Sequence, residues 1–184
     1  MVGQERRKEL RHLIRALNVW RGSSIISYMA SVYLETTIVS YLTGRPSRDI
    51  VVAGHQQTTR EWWDSARLRY ALYVSEVVLR ELQAGDSEAA ELRVKKVQGI
   101  PILGLIDDVA SLARTYEAEL RLPPKAGNDI LHIGFSVAYD IDYLLTWNCA
   151  HIANGHTIRR LAAVNERLGR RTPVIVTPEE LLED

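Results

Sequence analysis

Five short runs of strand character punctuate this sequence, at about 31–34, 70–74, 100–103, 143–146 and 173–176, and helix-forming stretches separate each from the next. Parallel strands need a long crossover connection between neighbours, and a helix is the usual one. Strands alternating with helices at these lengths therefore predict an α/β domain, a parallel sheet wrapped by helices.

A chain of 184 residues is long enough for one domain with a substantial core. Lys+Arg and Asp+Glu both number 23, so no global basic field advertises nucleic acid, and any such contact must come from a local patch. The single cysteine, Cys149, excludes an internal disulfide and suits a reducing compartment. No apolar run reaches membrane-spanning length and the first residues lack a signal-peptide core, so a cytoplasmic protein with no membrane partner is expected.

Ahead of the first strand, Leu10, Leu13, Ile14, Leu17 and Trp20 fall at helical spacing among six basic residues between Arg6 and Arg21. Such a basic amphipathic helix suits an RNA-contacting arm, a membrane-surface helix or a docking helix, or simply packs on the domain. We divide the chain into this extension, residues 1–28, dispensable for folding, and a domain over 29–184.

Four places in the domain hold candidate chemistry. The strand 31–34 runs straight into Glu35, with Thr36 and Thr37 opening a helix behind it. An acid there either sits where open α/β sheets place ligands or is a first-turn acid favoured by the helix dipole. In the helix 76–84, capped by Ser75 and ended by Gly85, Val77, Val78 and Leu82 define the buried arc. Glu81 falls inside that arc and Glu76 opposite it, so Glu81 is the acid that needs a partner. Asn128 and Asp129 open the most apolar helix, about 130–139. There Asp129 is a cleft acid or a cap, and His132, one turn on, lines the cleft or bonds internally. Asn148 ends the strand 143–146 much as Glu35 ends the first. Elsewhere, Ser47 is expected to cap a helix over 48–69 whose Trp62 and Trp63 belong to the core, and Asp107 and Asp108 read as cap and first-turn acid. Cys149, His151 and His156 lack the second ligand pair that structural zinc requires.

Together the segments Tyr33-Leu-Glu35-Thr-Thr, Val74-Ser-Glu-Val-Val-Leu-Arg-Glu81-Leu-Gln-Ala-Gly85, Asn128-Asp129-Ile-Leu-His132-Ile and Leu145-Thr-Trp-Asn148 resemble the PIN domain, in particular VapC-like toxins of toxin–antitoxin pairs. The resemblance spans about 31–178. It implies a three-layer α/β/α fold around a central parallel sheet and a metal-dependent ribonuclease that hydrolyses RNA phosphodiester bonds. It assigns catalytic roles to Glu35, Glu81, Asp129 and Asn148, and Mg²⁺ or Mn²⁺ binding to Glu35, Glu81 and Asp129, with Thr36 and Thr146 in support. The partners in keeping with it are an RNA substrate, a cognate antitoxin and a second copy of the chain. Glu35 and Asn148 stand where the family usually has Asp. That departure favours the alternative, a PIN-like RNA-binding or interaction module with little or no catalysis.

Overall fold

A computed structural model describes residues 29–182. Its five strands are β1 (Ser31–Leu34), β2 (Ala71–Ser75), β3 (Ile102–Leu103), β4 (Tyr143–Leu145) and β5 (Val174–Val176). They form one sheet in the order β3-β2-β1-β4-β5, and every pairing is parallel. The helices are α1 (Thr36–Thr43), α2 (Ile50–Glu61), α3 (Glu76–Leu82), α4 (Ser87–Lys96), α5 (Asp107–Glu119), α6 (Gly127–Ala138) and α7 (Gly155–Arg167).

This order dictates the layers. From β1 the chain steps to β2 and β3 in one direction, then returns past β1 to β4 and β5. Right-handed crossovers put the first connections on one face and the later ones on the other. Accordingly α1 packs with α2 and α4, while α5 packs with α6 and α7. The fold is thus a three-layer α/β/α sandwich around a central parallel sheet, as expected. Residues Val32, Tyr33 and Leu34 of β1 are wholly buried, as expected of a central parallel strand covered on both faces. The α5–α6 contact is close at Gly134, where a Cβ would meet the Val109 carbonyl at 3.4 Å.

Some local expectations change. The long helix expected over 48–69 is α2 alone, capped by Asp49, whose Oδ1 accepts from the amides of Val51 and Val52. Ser47 instead accepts the Asp49 amide. After Glu61 the backbone widens into a π turn over Trp62–Ala66 and tightens into a 3-10 turn over Arg67–Arg69, with Trp62 and Trp63 both in the core. Helix α6 begins at Gly127 after Ala126, so neither Asn128 nor Asp129 caps it. Neither Asp107 nor Asp108 caps α5, which follows Ile106; Asp108 forms a two-pronged ion pair with Arg170 at 2.8 and 2.5 Å. The extension over 1–28 lies outside the described residues.

Candidate functional site

Strand order reverses between β1 and β4, and crevices beyond the carboxyl ends of strands at such a reversal are where open α/β sheets bind ligands. Glu35 stands at this point, its amide donating to the Leu145 carbonyl of β4 at 3.0 Å. The residue is only 3% exposed. Oε2 accepts from the Thr37 amide at 3.1 Å, the Thr37 hydroxyl at 2.5 Å and the Thr146 hydroxyl at 2.7 Å. No described residue donates to Oε1, and that atom is not sealed from solvent. One oxygen is thus held by the protein, and no described residue donates to the other.

Glu81 reaches the same place from α3. Burial of Val77, Val78 and Leu82 sets the helix rotation, leaving Glu76 exposed. The Glu81 Oε2 accepts from the Thr36 hydroxyl and lies 3.0 Å from His132 Nε2, while Oε1 accepts from Asn128 Nδ2 at 2.7 Å. Partial burial alone would raise its pKa, but the bonds and charge of His132, with Thr36 and Asn128, overcome this and bring it from the usual 4.5 to about 2. Glu81 is therefore a carboxylate at any ordinary pH.

His132, 1% exposed, stands between Glu81 and the core. Its Nδ1 lies 2.7 Å from the Tyr33 hydroxyl, which lies 2.7 Å from Ser75 Oγ. Burial raises the Tyr33 pKa well above its ordinary value despite the Ser75 bond, with the charges of Glu35 and Glu81 adding to the rise, so the phenol stays protonated. One ligand atom each from Glu35, Glu81 and His132 lies within 4.8 Å of the other two.

Asp129 is not in that group. Its Oδ1 accepts from Asn148 Nδ2 at 2.9 Å, and its Oδ2 lies 2.7 Å from His151 Nδ1. Asn148 joins this second cluster to the first: its amide donates to Thr146 Oγ1, which donates to Glu35. Thr36 and Thr146 hold the carboxylates of Glu81 and Glu35 respectively. His151, Asn128, Thr37 and the Tyr33–Ser75 pair were not singled out from sequence as parts of this site. The only sequence signal for His151 was its place three residues after Asn148, where its amide donates to Asn148 Oδ1 at 3.1 Å.

The donor set fits a divalent cation. Two carboxylates and an imidazole converge, Glu81 stays ionised, and the buried Glu35 keeps one oxygen to which no described residue donates.

A solved chain of the VapBC2 complex from Rickettsia felis, bound to a DNA fragment from its promoter, shares this architecture. The TM-score is 0.52 at 14% identity, over 79% of this chain and 97% of that one. The likeness is one of fold. No protein-family model matches the sequence, and no curated protein does either. Among the described residues no helix is long and apolar enough to cross a membrane.

Proposed function

We propose that this chain is a metal-dependent ribonuclease of the PIN/VapC type, hydrolysing RNA phosphodiester bonds with Mg²⁺ or Mn²⁺, and the toxin of a toxin–antitoxin pair. The observation that carries this is the meeting of Glu35 and Glu81, from different elements, at the sheet's switch point, with a Glu35 oxygen to which no described residue donates. Asp129 and Asn148 adjoin through Thr146 and complete the catalytic set in this reading.

A divalent cation held by Glu35, Glu81 and Asp129 would supply Lewis-acid activation of water and neutralise charge building on the scissile phosphate. The protein's own part is positioning. Thr37 and Thr146 fix one oxygen of Glu35, and Thr36 and Asn128 fix Glu81. Without a cation, carboxylates gathered in one crevice repel, which is the ordinary mark of a site built for one. The VapBC2 neighbour, a complex bound to promoter DNA, supports a cognate antitoxin as partner.

A second reading, an RNA-binding or interaction module with little catalysis, is favoured by Asp129, whose two oxygens already have partners in Asn148 and His151. Incubating the full chain with single-stranded RNA and Mn²⁺ or Mg²⁺, with and without chelator, separates the two. The nuclease reading requires cleavage that chelator stops and that Glu35→Gln and Glu81→Gln each reduce by at least a hundredfold. RNA retention without cleavage at any metal concentration would establish the binding module instead.

A further inference from the structure

We infer that His132 is a direct protein ligand of the divalent cation, beside Glu35 and Glu81, and that its imidazole turns the site's preference from Mg²⁺ toward first-row transition cations. The inference rests on the nuclease reading for the presence of a divalent cation here, and adds which residue selects it.

Geometry comes first. Adjacent ligands of an octahedral ion with bonds of about 2.1 Å lie roughly 3.0 Å apart. His132 Nε2 and Glu81 Oε2 are separated by 3.0 Å, and one ligand atom from each of Glu35, Glu81 and His132 lies within 4.8 Å of the other two. The same 3.0 Å is a hydrogen bond when Nε2 carries a proton. A ligand role requires only that Nε2 present its lone pair.

The relay behind the ring permits this. Tyr33 and Ser75 are hydroxyls, each able to donate or accept, so the order Ser75→Tyr33→His132 Nδ1 can reverse to His132 Nδ1→Tyr33→Ser75. In the first order Nδ1 accepts and Nε2 carries the proton toward Glu81; in the second Nδ1 carries the proton and Nε2 can present its lone pair. A ligating histidine whose other nitrogen is anchored by a hydrogen-bonding partner is the usual arrangement at protein metal sites. Here the anchor is buried: Tyr33 and Ser75 have no exposed surface, and the ring lies against Tyr33 with centroids 5.8 Å apart. A histidine serving only to fill the core would not need its Nε2 edge set against a carboxylate.

Chemistry then sets the preference. Mg²⁺ takes oxygen ligands almost exclusively, whereas imidazole suits the later first-row ions, whose affinity rises from Mn²⁺ to Co²⁺. The wild-type chain should bind Co²⁺ more tightly than Mn²⁺, and both more tightly than Mg²⁺.

The test is direct metal binding by the full chain, independent of catalysis. Titration calorimetry with CoCl₂, MnCl₂ and MgCl₂ gives the three affinities, and electron spin-echo modulation of the Mn²⁺-loaded protein detects nitrogen bonded to the ion. The expected spectrum shows imidazole nitrogen coupling. His132→Gln, which puts an amide oxygen near the place of Nε2, should abolish the coupling and lower the Co²⁺-over-Mg²⁺ preference at least tenfold. His151→Gln should keep both, and it serves as the deciding variant should His132→Gln not fold. An all-oxygen Mn²⁺ spectrum, coupling that persists in His132→Gln, coupling lost in His151→Gln, or no binding of any of the three ions would each overturn the inference. RNA cleavage is scored separately. Nitrogen coupling without cleavage removes the nuclease reading and leaves the ligand, whereas Mn²⁺-dependent cleavage with an all-oxygen spectrum does the reverse.

Discussion

The imidazole of His151 stands 2.7 Å from the carboxylate of Asp129, on the side opposite the 2.9 Å bond that Asn148 donates. Both Asp129 oxygens are therefore acceptors, and an amide in their place keeps only one. Asp129→Asn should abolish metal-dependent RNA cleavage in the nuclease reading. It should also destabilise the metal-free protein by about 1.5–3 kcal/mol, the usual net worth of a hydrogen bond to a charged group. Urea unfolding in chelator measures the second effect. A variant as stable as wild type and fully active would show that this acid neither orders the Asn148–His151 corner nor serves the reaction.

Glu81 gives a prediction in pH. Its folded-state pKa, about 2, lies below the ordinary 4.5, so its contribution to stability is complete above about pH 4.5. That contribution is lost as the pH falls from 4.5 toward 2. In chelator, Glu81→Gln should flatten this part of the acid limb, because glutamine has no proton to take up. Urea midpoints of both proteins between pH 2 and 6 test it. Parallel acid limbs would mean that the bonds from His132, Thr36 and Asn128 do not hold Glu81 ionised in solution.

The same two acids show what local pattern can reveal. Glu81 was separable from Glu76 because burial of Val77, Val78 and Leu82 fixes a helix's rotation whatever packs against it. Strand positions were legible to within a residue or two, since buried parallel strands are short apolar runs with sharp ends. The helix over 48–69 was not, because its periodicity continues through a π turn that tertiary packing of Trp62 and Trp63 imposes. Through-space partners left still less trace. The hydroxyl anchoring His132 comes from Tyr33, 99 positions away, and the acid beside His151 is 22 positions upstream. Testing His151 for zinc spacing therefore found nothing, although it stands at the edge of the candidate site.

A third prediction concerns a buried polar pair remote from the crevice. Tyr116 donates from its hydroxyl to Asn165 Oδ1 at 2.5 Å, and both residues are wholly buried. Tyr116→Phe would leave that oxygen without a donor in the core, a loss of about 1–3 kcal/mol. The crevice is untouched, so RNA cleavage by the folded variant should equal that of wild type. Stability unchanged in thermal unfolding would show that Asn165 finds another donor.

The last prediction addresses residues 1–28. The first described strand is pinned at its start by bonds among the described residues. Asp142 Oδ2 accepts both the amide and the hydroxyl of Ser31 at 2.8 and 2.7 Å, and Ser31 Oγ accepts the Asp142 amide at 2.9 Å. Arg171 bonds Asp142 in turn at 2.8 Å, tying the start of β1 to the segment entering β5. The β1 side chains belong to the buried core that the described sheet and helices share. A chain beginning at Met29 should therefore fold cooperatively with a Tm within about 3 °C of the full chain, the shift that roughly 1 kcal/mol produces at this size. Differential scanning calorimetry of the two proteins decides the matter. A much larger drop, or insolubility of the shorter chain, would mean that the apolar positions Leu10, Leu13, Ile14, Leu17 and Trp20 belong to the core or to an obligate interface, and that the division at residue 28 is wrong.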